Sequence, residues 1–158
     1  MARRRNVKGS ITVVITNAEG RILLVKRRNR SRWSLPTDYA YPREAPVERA
    51  IIIGAIQAGV VLEDCRLLTV TAGSYRLHGV YLGSTQGAPE AGDSIDKVMW
   101  WNGSDQTVPE GIDPTTIKIL RTAHQISRDP VGASFGFPKI NWNGVKEILE
   151  ALSVVGGA

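Results

Sequence analysis

Cysteine is nearly absent from this chain. Cys65 is the only one in 158 residues, so no intrachain disulfide can form. It sits in Leu62-Glu63-Asp64-Cys65-Arg66 with no second cysteine and no neighbouring histidine, which gives neither a metal-ligand spacing nor a nucleophile–base pair. Aromatic residues are scarce at 6%, so Val, Ile and Leu must fill most of the interior. No apolar run approaches the roughly 18 residues of a membrane-spanning helix. Lys8, Asn17 and Glu19 interrupt the apolar stretch that would have to follow the N-terminal arginines in a secretion signal. The expectation is a cytoplasmic protein that does not enter membranes. His78 and His124 are the only histidines, and neither has a Ser–acid or Cys–acid partnership legible in the sequence.

Positive charge is plentiful. The net charge of +5 gathers in Arg3, Arg4 and Arg5 and in Lys26, Arg27, Arg28, Arg30 and Arg32. Such clusters attract phosphate, on a small molecule or on a polymer. No dedicated nucleic-acid reading motif accompanies them, so a nucleic-acid partner is not expected.

The length is that of one domain with one core. Residues 9–17 are rich in β-branched side chains and predict a strand; Gly20 supports a turn, and residues 22–26 predict the returning strand. Residues 37–46 lack periodicity, contain Pro42 and Pro46, and read as loop. Pro46 to Ala58 reads as a helix, with proline in the first turn and Gly59 as the stop. Further strands are expected over 66–72, 75–82 and 95–101. Asp113-Pro114 opens a second helix to about 126, and 143–152 has a one-sided apolar stripe of a third. The resulting division is a basic tail (1–7), a domain (8–126), and a C-terminal loop and helix (127–158) packing on that domain. The order of elements predicts an α/β protein with a mixed sheet between helices.

Against this background the chain resembles the Nudix family. A hairpin ending in Leu23-Leu24-Val25-Lys26-Arg27, a loop with Trp33-x-Leu35-Pro36, and then a loop–helix unit is similar to that family's approach to its signature, G-x5-E-x7-R-E-U-x-E-E-x-G-U. Laid on this chain, the signature runs from position 38 to Val60 without a gap. Glu44, Gly59 and Val60 match it. Asp38 replaces the first Gly, Ile52 the Arg, and Ile53, Ile56 and Gln57 stand at the three helix carboxylates. The resemblance implies a Nudix-type α/β/α sandwich. In the family those glutamates hold magnesium or a similar cation that bridges a diphosphate and helps activate water. Hard cations need several oxygen ligands, so the expectation is a degenerate Nudix box with no metal and no cofactor. Ser94 also replaces the acidic residue that can act as base before Ile95 and Trp100.

The expected function is therefore a ligand-binding or protein-interaction module. The alternative is a metal-independent enzyme acting on a phosphorylated or nucleotide-like metabolite, with Glu44, Glu48 and Asp93 as its catalytic carboxylates (Asp96 alternates to the opposite face from Ile95). By the family's pattern, ligand contacts fall to Arg27, Arg28, Trp33, Tyr39, Tyr41, Ile53, Ile56 and Gln57, with Tyr75 a further aromatic. Helix 46–58 has no charge after Arg49, and a helix apolar nearly all round is buried on more than one side. Val47, Ile51 and Ala58 are expected to face the sheet. Ile52, Ile53 and Ile56 then need a cover: the C-terminal segment, a second subunit in a homodimer, or an apolar ligand.

Overall fold

The computed structural model describes residues 9–72, 77–101 and 111–128. The tail 1–7, Tyr75, the side chain of His124 and the third helix at 143–152 lie outside the described residues or side chains.

Strands β1 (Gly9–Thr16) and β2 (Ile22–Arg27) form where the β-branched runs predict them. Gly20 takes φ 77° in the turn between them. Two short strands follow that the proline-bearing sequence concealed, β3 (Trp33–Ser34) and β4 (Thr37–Ala40). The expectation of loop from residue 37 is thus corrected. β4 pairs antiparallel with the start of β1, from Gly9 opposite Ala40 to Thr12 opposite Thr37. Helix α1 spans Pro46–Ala58 and stops at Gly59, whose left-handed φ of 64° is cheap only for glycine. Then come β5 (Glu63–Ala72), β6 (Leu77–Ser84), β7 (Ile95–Trp101) and α2 (Pro114–Arg128).

β1 is the pivot of the sheet. It runs parallel to β6 along its whole length and antiparallel to β4 over its first half, and it meets β2 only at Thr16 opposite Ile22. The sheet therefore forks: one arm carries β5, β6, β1 and β4, the other β7, β2 and β3. Nearly every β1 residue is buried, as expected for a strand covered on both faces. Ile11, Val13 and Ile15 point to the α1 side, with Ala50, Ile53 and Ala58 of that helix. Val14 points the other way, to a second core with Trp33, Leu35, Val80, Trp101 and Leu120 of α2. The period-2 alternation of a strand thus builds two cores from one sequence run. The architecture is the expected mixed sheet between helices.

The face that α1 buries differs from the expected one. Ala50, Ile53, Gly54, Gln57 and Ala58 are buried, while Val47 and Ile51 remain 37% exposed and Ile56 59% exposed. Ile53 belongs to the core under the sheet and needs no separate cover.

Candidate functional site

The loop that enters α1 is fixed by one cation. Arg49 is buried; its Nη2 donates to Asp38 Oδ2 at 2.9 Å and its Nε to the Tyr39 carbonyl at 2.9 Å. The same guanidinium lies 3.7 Å from Glu44 Oε1 and 4.6 Å from the centre of the Tyr41 ring. A planar fork that meets a carboxylate, a carbonyl and an aromatic face at once is a role lysine could not fill. Glu44 is therefore engaged within the loop–helix unit, and one face of Tyr41 is covered. Tyr39 and Tyr41 are otherwise exposed.

The three helix positions of the signature meet different fates. Ile53 is 1% exposed in the core and Ile56 faces solvent. Gln57 is buried and its Nε2 donates to the Thr37 carbonyl at 2.8 Å. The amide orientation follows from this bond, because a carbonyl oxygen can only accept. Gln57 Oε1 is left buried with no hydrogen-bond partner among the described residues. The same Thr37 carbonyl accepts from Arg27 Nη2, so the β2 guanidinium and the α1 amide meet on one oxygen at the fork of the sheet. A register shift between Lys26 and Arg27 in the β2–β7 ladder accompanies this turn of Arg27 out of the regular alternation. Lys26 faces Asp96 at 3.9 Å instead.

Arg27 also lines a cavity of about 330 Å³ on the α2 side. Arg30 and Arg32 stand on its rim with it, and Thr12, Thr37, His78, Asp113 and Thr116 form much of the opposite wall. Asp113 caps α2, one carboxylate oxygen accepting from the Thr115 and Thr116 amides at 3.1 and 3.3 Å. Trp33 positions that cap: its amide donates to Gly111 O and its carbonyl accepts from Asp113 N at 2.8 Å. Trp33 itself is 5% exposed, a core residue and not a surface for a ligand.

A chain of hydroxyls crosses the cavity wall. Thr37 Oγ1 donates to the Leu35 carbonyl at 3.1 Å, so it must accept from Thr12 Oγ1 at 2.8 Å. Thr12 in turn accepts from His78 Nε2 at 2.8 Å, which leaves Nδ1 to accept from Ser10 Oγ. This direction of donation places a proton on Nε2, and in the neutral ring Nδ1 is then the acceptor. Burial acts the same way, lowering the His78 pKa from its ordinary value of 6.5. The same cause pushes the Cys65 thiol up to about 11.

Of the residues expected from sequence as ligand contacts, Arg27 lines this cavity, and Arg30 and Arg32 of the same basic cluster line it too. Arg28 turns away; its Nε donates to the Asp93 carbonyl at 2.7 Å and its amide to Ser94 O. Glu48 and Asp93 are exposed and do not line this cavity. Thr12, His78 and Thr116 carried no signal in the sequence, and Asp113 was legible only as a cap. Among the described residues, no group of three His, Cys, Asp or Glu side chains is placed to hold a metal ion. No described helix is long and apolar enough to cross a membrane.

The sequence matches no family model, and no curated protein resembles it closely enough to register. Solved structures do resemble it. A Nudix hydrolase family member from Chromobacterium violaceum superposes with a TM-score of 0.66 at 16% identity, covering 96% of each chain. The Nudix domain of Shewanella oneidensis NrtR, complexed with ADP ribose, gives 0.63 at 18% identity over 75% of this chain and 87% of that one. A MutT Nudix hydrolase from Burkholderia pseudomallei gives 0.58 at 26% identity, covering 75% and 96%. The protein has the Nudix fold.

Proposed function

We propose that this Nudix-fold protein binds a phosphorylated small molecule without a divalent cation, and that it is not a magnesium-dependent nucleoside diphosphate hydrolase. One observation carries the reading. Where the family's signature asks for three carboxylates, this chain has a core isoleucine, a solvent-facing isoleucine and an amide whose nitrogen, not its oxygen, is directed at a backbone carbonyl. Magnesium demands several oxygen ligands in near-octahedral array, and these side chains do not fit it. No hydrolytic step is therefore assigned through a metal.

The cavity supports the binding half. Three arginines on one rim supply the charge and the planar donors that suit phosphate. That the NrtR Nudix domain was crystallised with ADP ribose supports a small-molecule ligand on this fold. A metal-independent enzyme using Glu44, Glu48 and Asp93 is the weaker reading, because Glu44 is paired with Arg49 and the other two lie exposed away from the cavity. The test is a panel of nucleoside diphosphate derivatives with Mg²⁺ or Mn²⁺, run beside calorimetric binding in EDTA. Binding that survives EDTA, with no phosphate released, is expected. Metal-dependent turnover lost on substitution of Gln57 would refute the proposal.

A further inference from the structure

The Arg27 cavity does not end at His78. His78, Thr115 and Ile119 also line a second cavity, of about 490 Å³, between α2 and the β5–β6 strands. Its wall carries the hydroxyls of Ser10, Thr69, Thr71 and Thr122; among the described residues, Lys118 is its formal charge and no carboxylate lines it. The two cavities thus form one trough, divided by an imidazole whose two nitrogens are both held by β1 hydroxyls. Arginines stand at one end and a lysine at the other. Between them the lining mixes hydroxyls, which both donate and accept hydrogen bonds, with the apolar side chains of Leu77, Val80 and Ile119.

The strand geometry sets the scale. Thr12 in the first cavity and Ser10 in the second are two residues apart on β1, about 7 Å. Along α2, Thr115 and Lys118 are three residues apart, about 4.5 Å. A ligand with one anionic group among the arginines and another at Lys118 therefore needs a span on the order of 10 Å, that of an extended six-carbon chain with a phosphate at each end.

We propose that the trough binds a polyol phosphorylated at both ends, one phosphate on Arg27, Arg30 and Arg32 and the other on Lys118, with its hydroxyls on the Thr and Ser side chains between. This rests on the phosphate reading of the Arg27 cavity. Calorimetry with mannitol 1,6-bisphosphate and mannitol 1-phosphate, both in EDTA, tests it. The bisphosphate is expected to bind about tenfold tighter, as one added charge-assisted contact allows. Lys118→Glu, on an exposed helix position, should cost the bisphosphate its tenfold advantage and bring the two affinities together, while Arg27→Ala should weaken both. Equal affinity for the two probes, or an equal loss of both in Lys118→Glu, overturns the two-ended ligand and leaves the phosphate reading standing. No binding of either probe, with Arg27→Ala silent, removes both.

Discussion

Replacing Ile53 by glutamate restores the family's first helix carboxylate and should unfold much of what holds α1 to the sheet. Ile53 is 1% exposed and packs in the core with Val13, Ile15, Leu23 and Val25. Removing that side chain from the core forgoes about 1.5–3 kcal/mol of burial. Burying a carboxyl group with no partner adds a further penalty, for a total of about 3–5 kcal/mol. For a chain of this size each kcal/mol lowers Tm by about 2–4 °C, so the melting point should fall by roughly 6–20 °C. Ile56→Glu is the control, because Ile56 is 59% exposed and should change stability by less than about 0.5 kcal/mol. Urea titration by circular dichroism at several pH values is the assay. Burial raises the introduced carboxyl's pKa above its unfolded value. The penalty is therefore full at pH 8 and shrinks as pH falls through the folded pKa, where the neutral form takes over. An Ile53→Glu protein as stable as the parent at pH 8 would refute the packing argument. So would one stabilised by millimolar Mg²⁺, which would reveal a latent metal site.

Arg49→Met should cost about 2 kcal/mol, discounted from the fully buried case because Asp38 is 40% exposed, and should open the 38–44 loop to limited proteolysis before the rest of the chain. His78 has a folded pKa below its ordinary 6.5, so the unfolded chain binds the proton more readily. Stability is full above that value and should decline as pH drops from there through the lower folded pKa; His78→Gln should flatten this decline in urea titrations between pH 7 and 5. Cys65, with its pKa pushed up to about 11, should react with iodoacetamide at pH 8 far more slowly in the native protein than in urea; equal rates would contradict its desolvation.

What could be read beforehand divides along a physical line. α1 was legible to the residue because Pro46 and Gly59 punctuate it, and both act through local backbone geometry. The hairpin and β7 carry their own β-branched or aromatic runs. β4 was not legible: Thr37-Asp38-Tyr39-Ala40 is extended because β1 offers it a ladder, a partner more than twenty residues away. β5 begins three residues earlier than expected, at Glu63, because charged residues and a ladder irregularity before Arg66 hide the alternation. The buried face of α1 was misjudged for a similar reason. Isoleucines on several sides leave the sequence indifferent, and the sheet chooses Ala50, Ile53 and Gln57. Trp33 drew attention as an aromatic near a basic loop, yet its place is in the α2-side core. In the site, Arg27 was visible through charge. Thr12, His78 and Asp113 are brought to it only by tertiary folding, over separations no local pattern records.

On the proposed reading, the meeting of Arg27 and Gln57 on the Thr37 carbonyl gives a physical reason for binding without hydrolysis. A divalent cation held by carboxylates does two things to a diphosphate: it neutralises charge, and it lowers the pKa of a bound water toward neutrality. A guanidinium does the first but not the second. It has donors and no empty coordination position, and it stays protonated at any accessible pH. A covalently attached cation also removes the need for the carboxylates, whose charge, unscreened by metal, would repel the ligand's phosphate. Glutamate at position 57 would thus set a negative charge beside the Arg27 guanidinium and compete with the ligand for it. Gln57→Glu should therefore lower phosphate affinity, with loss of the Thr37 hydrogen bond limiting the stability change to about 1–3 kcal/mol. Tighter phosphate binding in that variant, dependent on added Mg²⁺, would mean that the carboxylate and a metal, and not Arg27, form the working arrangement.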